Sequence, residues 1–368
     1  MNFKRLYLLL VLFPLVLACT KGDDPGSSVP PPPTPVTPDP GGDPGETHPW
    51  DANRGKVVRP QNGNGWTVTK IDDGITYYAF EGTDAVSKAK QRVFVTETDL
   101  NNTSYSVKLA YYSDRNIASR VFSSTNAIAV MNGGYERGSI WLTMAGVNKA
   151  TIANDYITSG DYKVPQWKSE AAIYMDNDRD VRIEYTGKDM TLAQWRTTYA
   201  AKAKTEKYLM TAAPMLIDDF EPVGETYTQR HPVQYPKCSE DPNVHQGSTT
   251  NPRTALAKTE DNHLLFVVVD GRRDNISRGI SASELTQFLV NNFNPQYAIN
   301  LDGGGSSTMC VAGQGDPNTH VVNYPCNNRN ADYTITIGSE TIVWPKETHG
   351  PDHLGERAVP TFFYVVKK

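Results

Sequence analysis

Between His263 and Met309 two short apolar runs flank one amphipathic stretch. Leu264 to Val269 is continuous and valine-rich, closed by Asp270 and Gly271, as suits a strand buried on both faces. Ser281 with Glu284 three residues later has the spacing of a helix capping box. Leu285, Phe288, Leu289 and Phe293 then recur at helical spacing and give one apolar stripe. After a turn at Asn294 and Pro295, the run Tyr297 to Leu301 ends at Asp302 and three glycines. The order predicts a β-α-β unit over residues 264–301. Two strands of one sheet joined by a helical crossover are parallel, with a right-handed connection, whether or not they are neighbours. Asp270 and Asp302 then lie at one sheet edge, the usual place for a ligand.

Other segments fill in the scaffold. WTVTKI, ITYYAF, RVFVTETDL and YSVKLAYY, from Trp66 onward, read as a strand meander between Gly, Asp and Asn punctuation. Ala127 to Met131 is a further buried strand, ending in Asn132, Gly133 and Gly134. The polar, alanine-rich stretch from Leu192 to Leu209 predicts a surface helix, and TITIGSETIVW a hairpin. Phe362 to Val366 is a final strand, expected to return to the main sheet. The expected fold class is α+β: a single domain with a mixed, largely β sheet core and flanking helices.

Composition changes the picture mainly at the amino terminus. Lys4 and Arg5 precede an apolar run to Leu17, too short for a comfortable membrane span and typical of a secretory leader. Cys19 after Val16-Leu17-Ala18 resembles a bacterial lipobox, which makes residues 1–18 a lipoprotein signal peptide and Cys19 the lipidated residue. Residues 19–48 are rich in Pro, Gly, Asp, Ser and Thr, and predict an extended tether that buries no core. Residues 49–368 form the expected domain, held in the bacterial cell envelope by a lipid anchor in a membrane. A net charge of −5 argues against a nucleic-acid partner. Beyond Cys19 the cysteines are Cys238, Cys310 and Cys326; one disulfide is expected, with Cys310–Cys326 preferred and one thiol left over. No Cys/His metal spacing is present.

The chemistry concentrates after the second run. Gly303, Gly304 and Gly305 let backbone amides approach an anion, and Ser306, Ser307 and Thr308 add hydroxyls. The segment lacks the ending of a Walker A loop, and no dinucleotide fingerprint follows the first run. Arg253 carries a planar fork suited to phosphate or carboxylate, and Asn132 offers donors and an acceptor.

VVVDGRR, SRGISASELTQFL and AINLDGGGSSTM resemble the central motifs of the phosphodiester glycosidase family. The resemblance runs from about Gly74 to Val366. Asn132-Gly133-Gly134 resembles a family motif of the active site, with Tyr135-Glu136 here where two Phe are common. Pro252-Arg253-Thr254-Ala255-Leu256 resembles its arginine motif, with Ala257 here in place of glycine. Thr211 to Val223 resembles a strand that leads into a turn, and VVNYP and ERAV resemble the closing motifs. The implied activity is hydrolysis of a sugar-1-phosphodiester or related α-glycosidic bond, without a required cofactor, by a monomer. Asp302 is the leading catalytic carboxylate and Asp270 the second. Asn132, Gly133, Gly134, Arg253, Thr254, Arg272, Asn300, Gly303, Gly304, Gly305 and Ser306 are expected to bind the sugar-phosphate or glycan substrate. Arg253 and the amides of the glycine loop are expected to face one phosphate. The polar loop from His231 to Thr250 is either a lid or an inert insertion.

Two other readings stay open. Asp270, Asn300 and Asp302 offer oxygens to Ca2+ or Mg2+, as a metal-assisted phosphodiesterase attacking phosphorus would need. A glycan-binding surface lipoprotein without turnover is the third.

Overall fold

The computed structural model describes residues 47–135, 142–144, 147–150, 156–159, 162–165, 170–175, 179–185, 208–226, 249–327 and 329–368. The leader, Cys19 and nearly all of the tether lie outside these residues, as do Cys238, most of the loop from His231 to Thr250 and most of the segment from Leu192 to Leu209. Gly41–Lys368 forms one compact unit.

Strands are numbered in chain order. The first sheet contains β1 (Trp66–Asp72), β2 (Ile75–Thr83), β3 (Lys90–Asp99), β13 (Met215–Ile217), β14 (Arg253–Lys258), β15 (His263–Val269) and β16 (Tyr297–Asn300). Their spatial order is β1-β2-β3-β15-β14-β16-β13. Every neighbouring pair in it is antiparallel. β14 lies antiparallel to both β15 and β16, so those two run in the same direction with β14 between them. The unit over 264–301 is thus strand, helix and strand in one sheet, and its parallel relation is between next-but-one neighbours. The physical reason is the short hairpin from Lys258 to His263, which folds β14 onto β15 and fills the slot beside it.

Helix α2 (Ala282–Asn292) links β15 to β16. Its capping box is complete: Glu284 N–H donates to Ser281 Oγ (3.2 Å) and Ser281 N–H to Glu284 Oε2 (2.8 Å). Leu285, Phe288, Leu289 and the following Phe293 are buried with Leu265, Val267 and Val269 of β15. Leu264, Phe266 and Val268 of the same strand belong to the opposite core. That alternation explains the unbroken apolar run: both faces are covered. Phe288 lies 5.9 Å from the rings of both Trp66 and Phe80. Phe288→Ala is expected to cost about 3–5 kcal/mol of stability by opening a cavity there, read as a lowered urea midpoint with little change in slope.

A second sheet contains β4 (Tyr105–Asn116), β5 (Ala129–Asn132), β17 (Met309–Val311) and β20 (Val359–Lys367), in the order β17-β5-β20-β4. Two expectations are corrected here. The last strand of the meander, β4, leaves the first sheet, and the carboxyl-terminal strand pairs with β4 and β5 rather than returning to the main sheet. The cause is two-sided burial: Phe363 and Val365 enter the core between the sheets, while Phe362 packs toward helix α1 (Ala118–Thr125).

A third sheet of β6 (Leu142–Met144), β7 (Val147–Ala150), β10 (Ala171–Met175), β11 (Val181–Tyr185) and β12 (Tyr208–Ala212) has the order β11-β10-β12-β6-β7. Tyr208 and Leu209, expected at the end of a helix, open β12 instead. β8 (Tyr156–Ser159) pairs with β9 (Tyr162–Pro165), and β18 (Tyr333–Ile337) with β19 (Glu340–Trp344) as the expected hairpin. Cys310 and Cys326 are not bonded to each other. Cys310 is packed among Val121, Val130 and Phe362, whereas the Cys326 thiol lies 3.7 Å from Arg272 Nη1. Among the described residues no helix is long and apolar enough to cross a membrane.

Candidate active site

Strand register sets the site. Arg253 at the start of β14 pairs with Val269 at the end of β15, and Ala255 pairs with Asn300 at the end of β16. Asp270, Arg253 and Asp302 therefore emerge at one sheet edge. The second sheet joins there through β5. Asp302 N–H donates to Gly133 O (3.2 Å), and Asn132 Nδ2 donates to Asp302 O (2.7 Å). Asn132 Oδ1 accepts from Thr254 Oγ1 (2.9 Å) and Thr308 N–H (3.1 Å). Thr254 Oγ1 in turn accepts from the Ser307 hydroxyl (3.1 Å). Asn132 and Thr254 are buried and hold the two sheets and the glycine loop together. Gly133 has no room for a side chain, since a Cβ would lie 2.6 Å from Thr361 Oγ1. Gly134 O faces that same hydroxyl at 3.5 Å.

The glycine loop makes one 3-10 turn, Gly304–Ser306. Its amides are partly used within the fold: Gly304 N–H donates to Pro252 O (2.9 Å), Ser306 N–H to Gly303 O (3.2 Å). Ser306 itself is buried. Cations cover the loop instead. Arg272 Nη2 lies 3.0 Å from where a Gly304 Cβ would stand, and a Cβ on Gly305 would collide with the Arg357 guanidinium and Asn327. Arg272 and Arg357 share a cleft of about 550 Å³ with Arg273, Cys326, Arg329 and Glu347. Arg273 and Arg329 are paired with Glu347 (2.6 and 3.2 Å), and Arg329 also with Asp352. Arg272 and Arg357 take neutral partners: Asn251 Oδ1 at 3.1 Å and Asn327 Oδ1 at 3.1 Å. Their charge is thus presented to the cleft.

Arg253 is buried at the start of β14. Only 2% of it is exposed. Its Nε donates to Ile280 O (3.0 Å) and its Nη2 to Thr249 O (2.8 Å). Beside it lies Tyr135, which sequence reasoning did not assign. Tyr135 Oη donates to Ala213 O (2.6 Å) and accepts from Asn300 Nδ2 (3.0 Å). Burial raises the phenol pKa strongly, Asp302 raises it further and Arg253 pulls it down, so both charges act on this tyrosine. Asn300 Nδ2 also donates to Leu301 O (2.7 Å).

Asp270 is 3% exposed and both its oxygens are occupied. Arg92 Nη1 donates to Oδ2 (2.8 Å), and Tyr324 N–H lies 3.1 Å from each oxygen. Burial pushes its carboxyl up to about 6 against the pull of Arg92. The Arg92 guanidinium in turn stacks 3.6 Å over the Tyr324 ring. Of the oxygens suggested for a hard cation, those of Asp270 are taken up by Arg92 and the Tyr324 N–H. Among the described residues no three His, Cys, Asp or Glu side chains are placed to hold a metal ion.

Glu356 immediately precedes Arg357 in the chain. It is buried and accepts from Ser119 N–H (3.0 Å) and Ser119 Oγ, tying the start of α1 to the segment before β20. Burial pushes its carboxyl up to about 7, against those hydrogen bonds, from an ordinary 4.5. The folded state therefore holds this proton more tightly than the unfolded chain. Its contribution to stability is full below pH 4.5 and is lost as pH rises through about 7. In calorimetry the Tm is expected to fall across that window, and Glu356→Gln to flatten the fall.

The family model for phosphodiester glycosidase matches residues 125–366, which contain Asn132, the glycine loop and Arg357. The catalytic domain of the zebrafish N-acetylglucosamine-1-phosphodiester alpha-N-acetylglucosaminidase, auto-inhibited by its pro-peptide, is similar at 17% identity and a TM-score of 0.49. It is covered over 87% of its length by 85% of this chain. A Burkholderia pseudomallei protein described as exported is similar at 12% identity and a TM-score of 0.50, over 84% of this chain and 98% of its own. No curated protein matches. The segments that carry Asn132, Asp302 and Arg357 all fall within the matched span. The chain belongs to the phosphodiester glycosidase family and is an enzyme that hydrolyses phosphodiester-linked sugars.

Proposed function

We propose that the substrate is a sugar-1-phosphodiester whose phosphate is held between Arg272 and Arg357, with Asp302 acting at the anomeric carbon. One observation carries this: two guanidiniums with neutral partners lie against Gly304 and Gly305, directly after Asp302. Cleavage of the bond between the anomeric carbon and the phosphate oxygen leaves the electron pair on phosphate, an anion already stable in water. Cationic stabilisation of that leaving group replaces strong acid assistance. Water supplies the oxygen that joins the sugar, and Asp302 is the carboxylate that serves the carbon. Asp270 acts at one remove in this reading, fixing Arg92 and the Tyr324 backbone. Asn132, Thr254 and Asn300 hold Asp302 in place from below, and Arg253 braces the same floor.

Hydrolysis in water labelled with 18O tests the bond that breaks. Label in the released sugar is expected. Label in the phosphate would mean attack at phosphorus and would restore the metal-assisted reading.

The enzyme works in the bacterial cell envelope, anchored through lipid on Cys19. The lipobox-like stretch before Cys19 and the polar tether after it support this, as does the similarity to a protein described as exported. Cys19→Ala is expected to move the protein from the membrane fraction to the soluble fraction with its hydrolytic activity unchanged. Membrane partitioning equal to the wild type would remove Cys19 as the anchor.

A further inference from the structure

We propose that the cleft formed by β1, β2 and the last turn of α2 binds neutral sugar units, so that the phosphodiester is presented on a glycan chain lying along the sheet edge. The placement follows from register. Trp66 pairs with Phe80, Phe80 with Val93, Val93 with Val269, and Val269 with Arg253, in one row across five strands. The mouth of this cleft therefore opens at the same sheet edge as Asp302. With strands about 4.8 Å apart, β1 stands about 24 Å from β16, the reach of several sugar residues.

The intervening edge is not a wall. A middle cleft of about 470 Å³ lies between, lined by Arg92, Asn275 and Tyr324. Thr83 lines both this cleft and the far one, which measures about 540 Å³. At its other end Tyr324 is two residues from Cys326, which lines the cleft of Arg272 and Arg357. Three depressions thus follow one another along one edge.

The chemistry of the far cleft differs from that of the phosphate cleft. Gln61, Asn64, Thr83 and Asn291 line it with exposed amides and a hydroxyl, groups that both donate and accept as sugar hydroxyls require. Its one cation, Arg59, is already neutralised by Glu97 (2.5 Å) and Asp261 (3.1 Å). Asp84 is buried, with Oδ2 accepting from Ser87 N–H (2.6 Å). An anion finds no uncommitted cation here, whereas a neutral, hydroxyl-rich chain finds amides. Trp66 and Phe80 form the floor, and Phe288 beneath them makes it rigid.

The chain-presented substrate rests on the phosphate reading of Arg272 and Arg357, but the sugar subsite does not, and the experiment separates them. The full chain is titrated by calorimetry with the disaccharides and hexasaccharides of glucose, mannose, galactose and N-acetylglucosamine. At least one hexasaccharide is expected to bind, about tenfold or more tighter than its disaccharide. Asn64→Gly, chosen because Asn64 has a φ of 52° that glycine tolerates, is combined with Asn291→Ala. The pair is expected to lose about tenfold in that affinity while hydrolysis of a small sugar-1-phosphodiester is unchanged. Thr83→Trp, closing the passage between clefts, is expected to weaken the hexasaccharide more than the disaccharide. No binding by any hexasaccharide, or binding indifferent to both variants, overturns the subsite. Loss of small-substrate hydrolysis in the wild type would instead overturn the phosphate reading and leave the binding result standing.

Discussion

Asp302→Asn is expected to lower kcat by about 10²–10⁴-fold, the usual contribution of a positioned carboxyl group, with no loss of stability. The two parts of that expectation have separate causes. The backbone of Asp302 ties the two sheets together, through its N–H to Gly133 O and its C=O from Asn132 Nδ2, and asparagine keeps both contacts. Its side chain is the carboxylate that opens the glycine loop, half-buried rather than sealed. Asp270→Asn should behave in the opposite way. It breaks the buried pair with Arg92 at 2.8 Å and leaves that guanidinium only the exposed Glu81 carboxylate (2.9 Å), and breaking a buried pair costs about 3–5 kcal/mol. Its Tm should fall sharply, while the kcat of the folded fraction should fall far less than that of Asp302→Asn. Urea denaturation beside kcat on both variants checks the division. Full turnover in Asp302→Asn, or an Asp270→Asn variant that is stable yet dead, would reverse the roles assigned to these carboxylates.

Local signals in the sequence were reliable because local contacts produce them. Ser281 and Glu284 cap α2 across three residues, and the stripe from Leu285 to Phe293 faces β15 within the same unit. The direction of β15 and β16 follows from that helix alone. What lies between them does not, since β14 enters through its own hairpin and no periodicity in 264–301 records it. The carboxyl-terminal strand was misplaced for a similar reason. Phe362, Phe363 and Val365 declare burial, but not which sheet buries them.

The same distinction explains the arginines. Arg253 stands next to the β-α-β unit in sequence, and its pairing with Val269 fixes it in the sheet, where its guanidinium is used on Ile280 and Thr249 carbonyls. Arg357 reaches the loop from the far side of an insertion that includes β18 and β19, a contact no short-range pattern could place. One trace of it existed in the sequence. Gly305 carries no side chain because Arg357 and Asn327 stand where a Cβ would be. A third consecutive glycine was a sign of close approach, and the approaching group is a cation.

Arg272→Ala and Arg357→Ala are each expected to lower kcat/KM about tenfold to hundredfold, the effect of losing a charge-assisted contact worth about 1.5–3 kcal/mol. At the proposed phosphate site the two changes combined should lose more than either alone, with a coupling term. Arg357→Lys should recover only part of the loss, since the ammonium restores charge without the planar fork that now rests on Asn327 Oδ1. Inorganic phosphate should inhibit the wild type competitively and the double variant much less. Arg253→Ala makes the necessary contrast. It strips donors from two carbonyls and empties a buried position, so its main effect should be a lowered Tm rather than weakened phosphate inhibition. Steady-state kinetics with phosphate as inhibitor, run beside thermal unfolding, decides between the two sites. If the Arg272/Arg357 double variant keeps full kcat/KM and phosphate inhibition while a stably folded Arg253→Ala loses both, the anion belongs on Arg253.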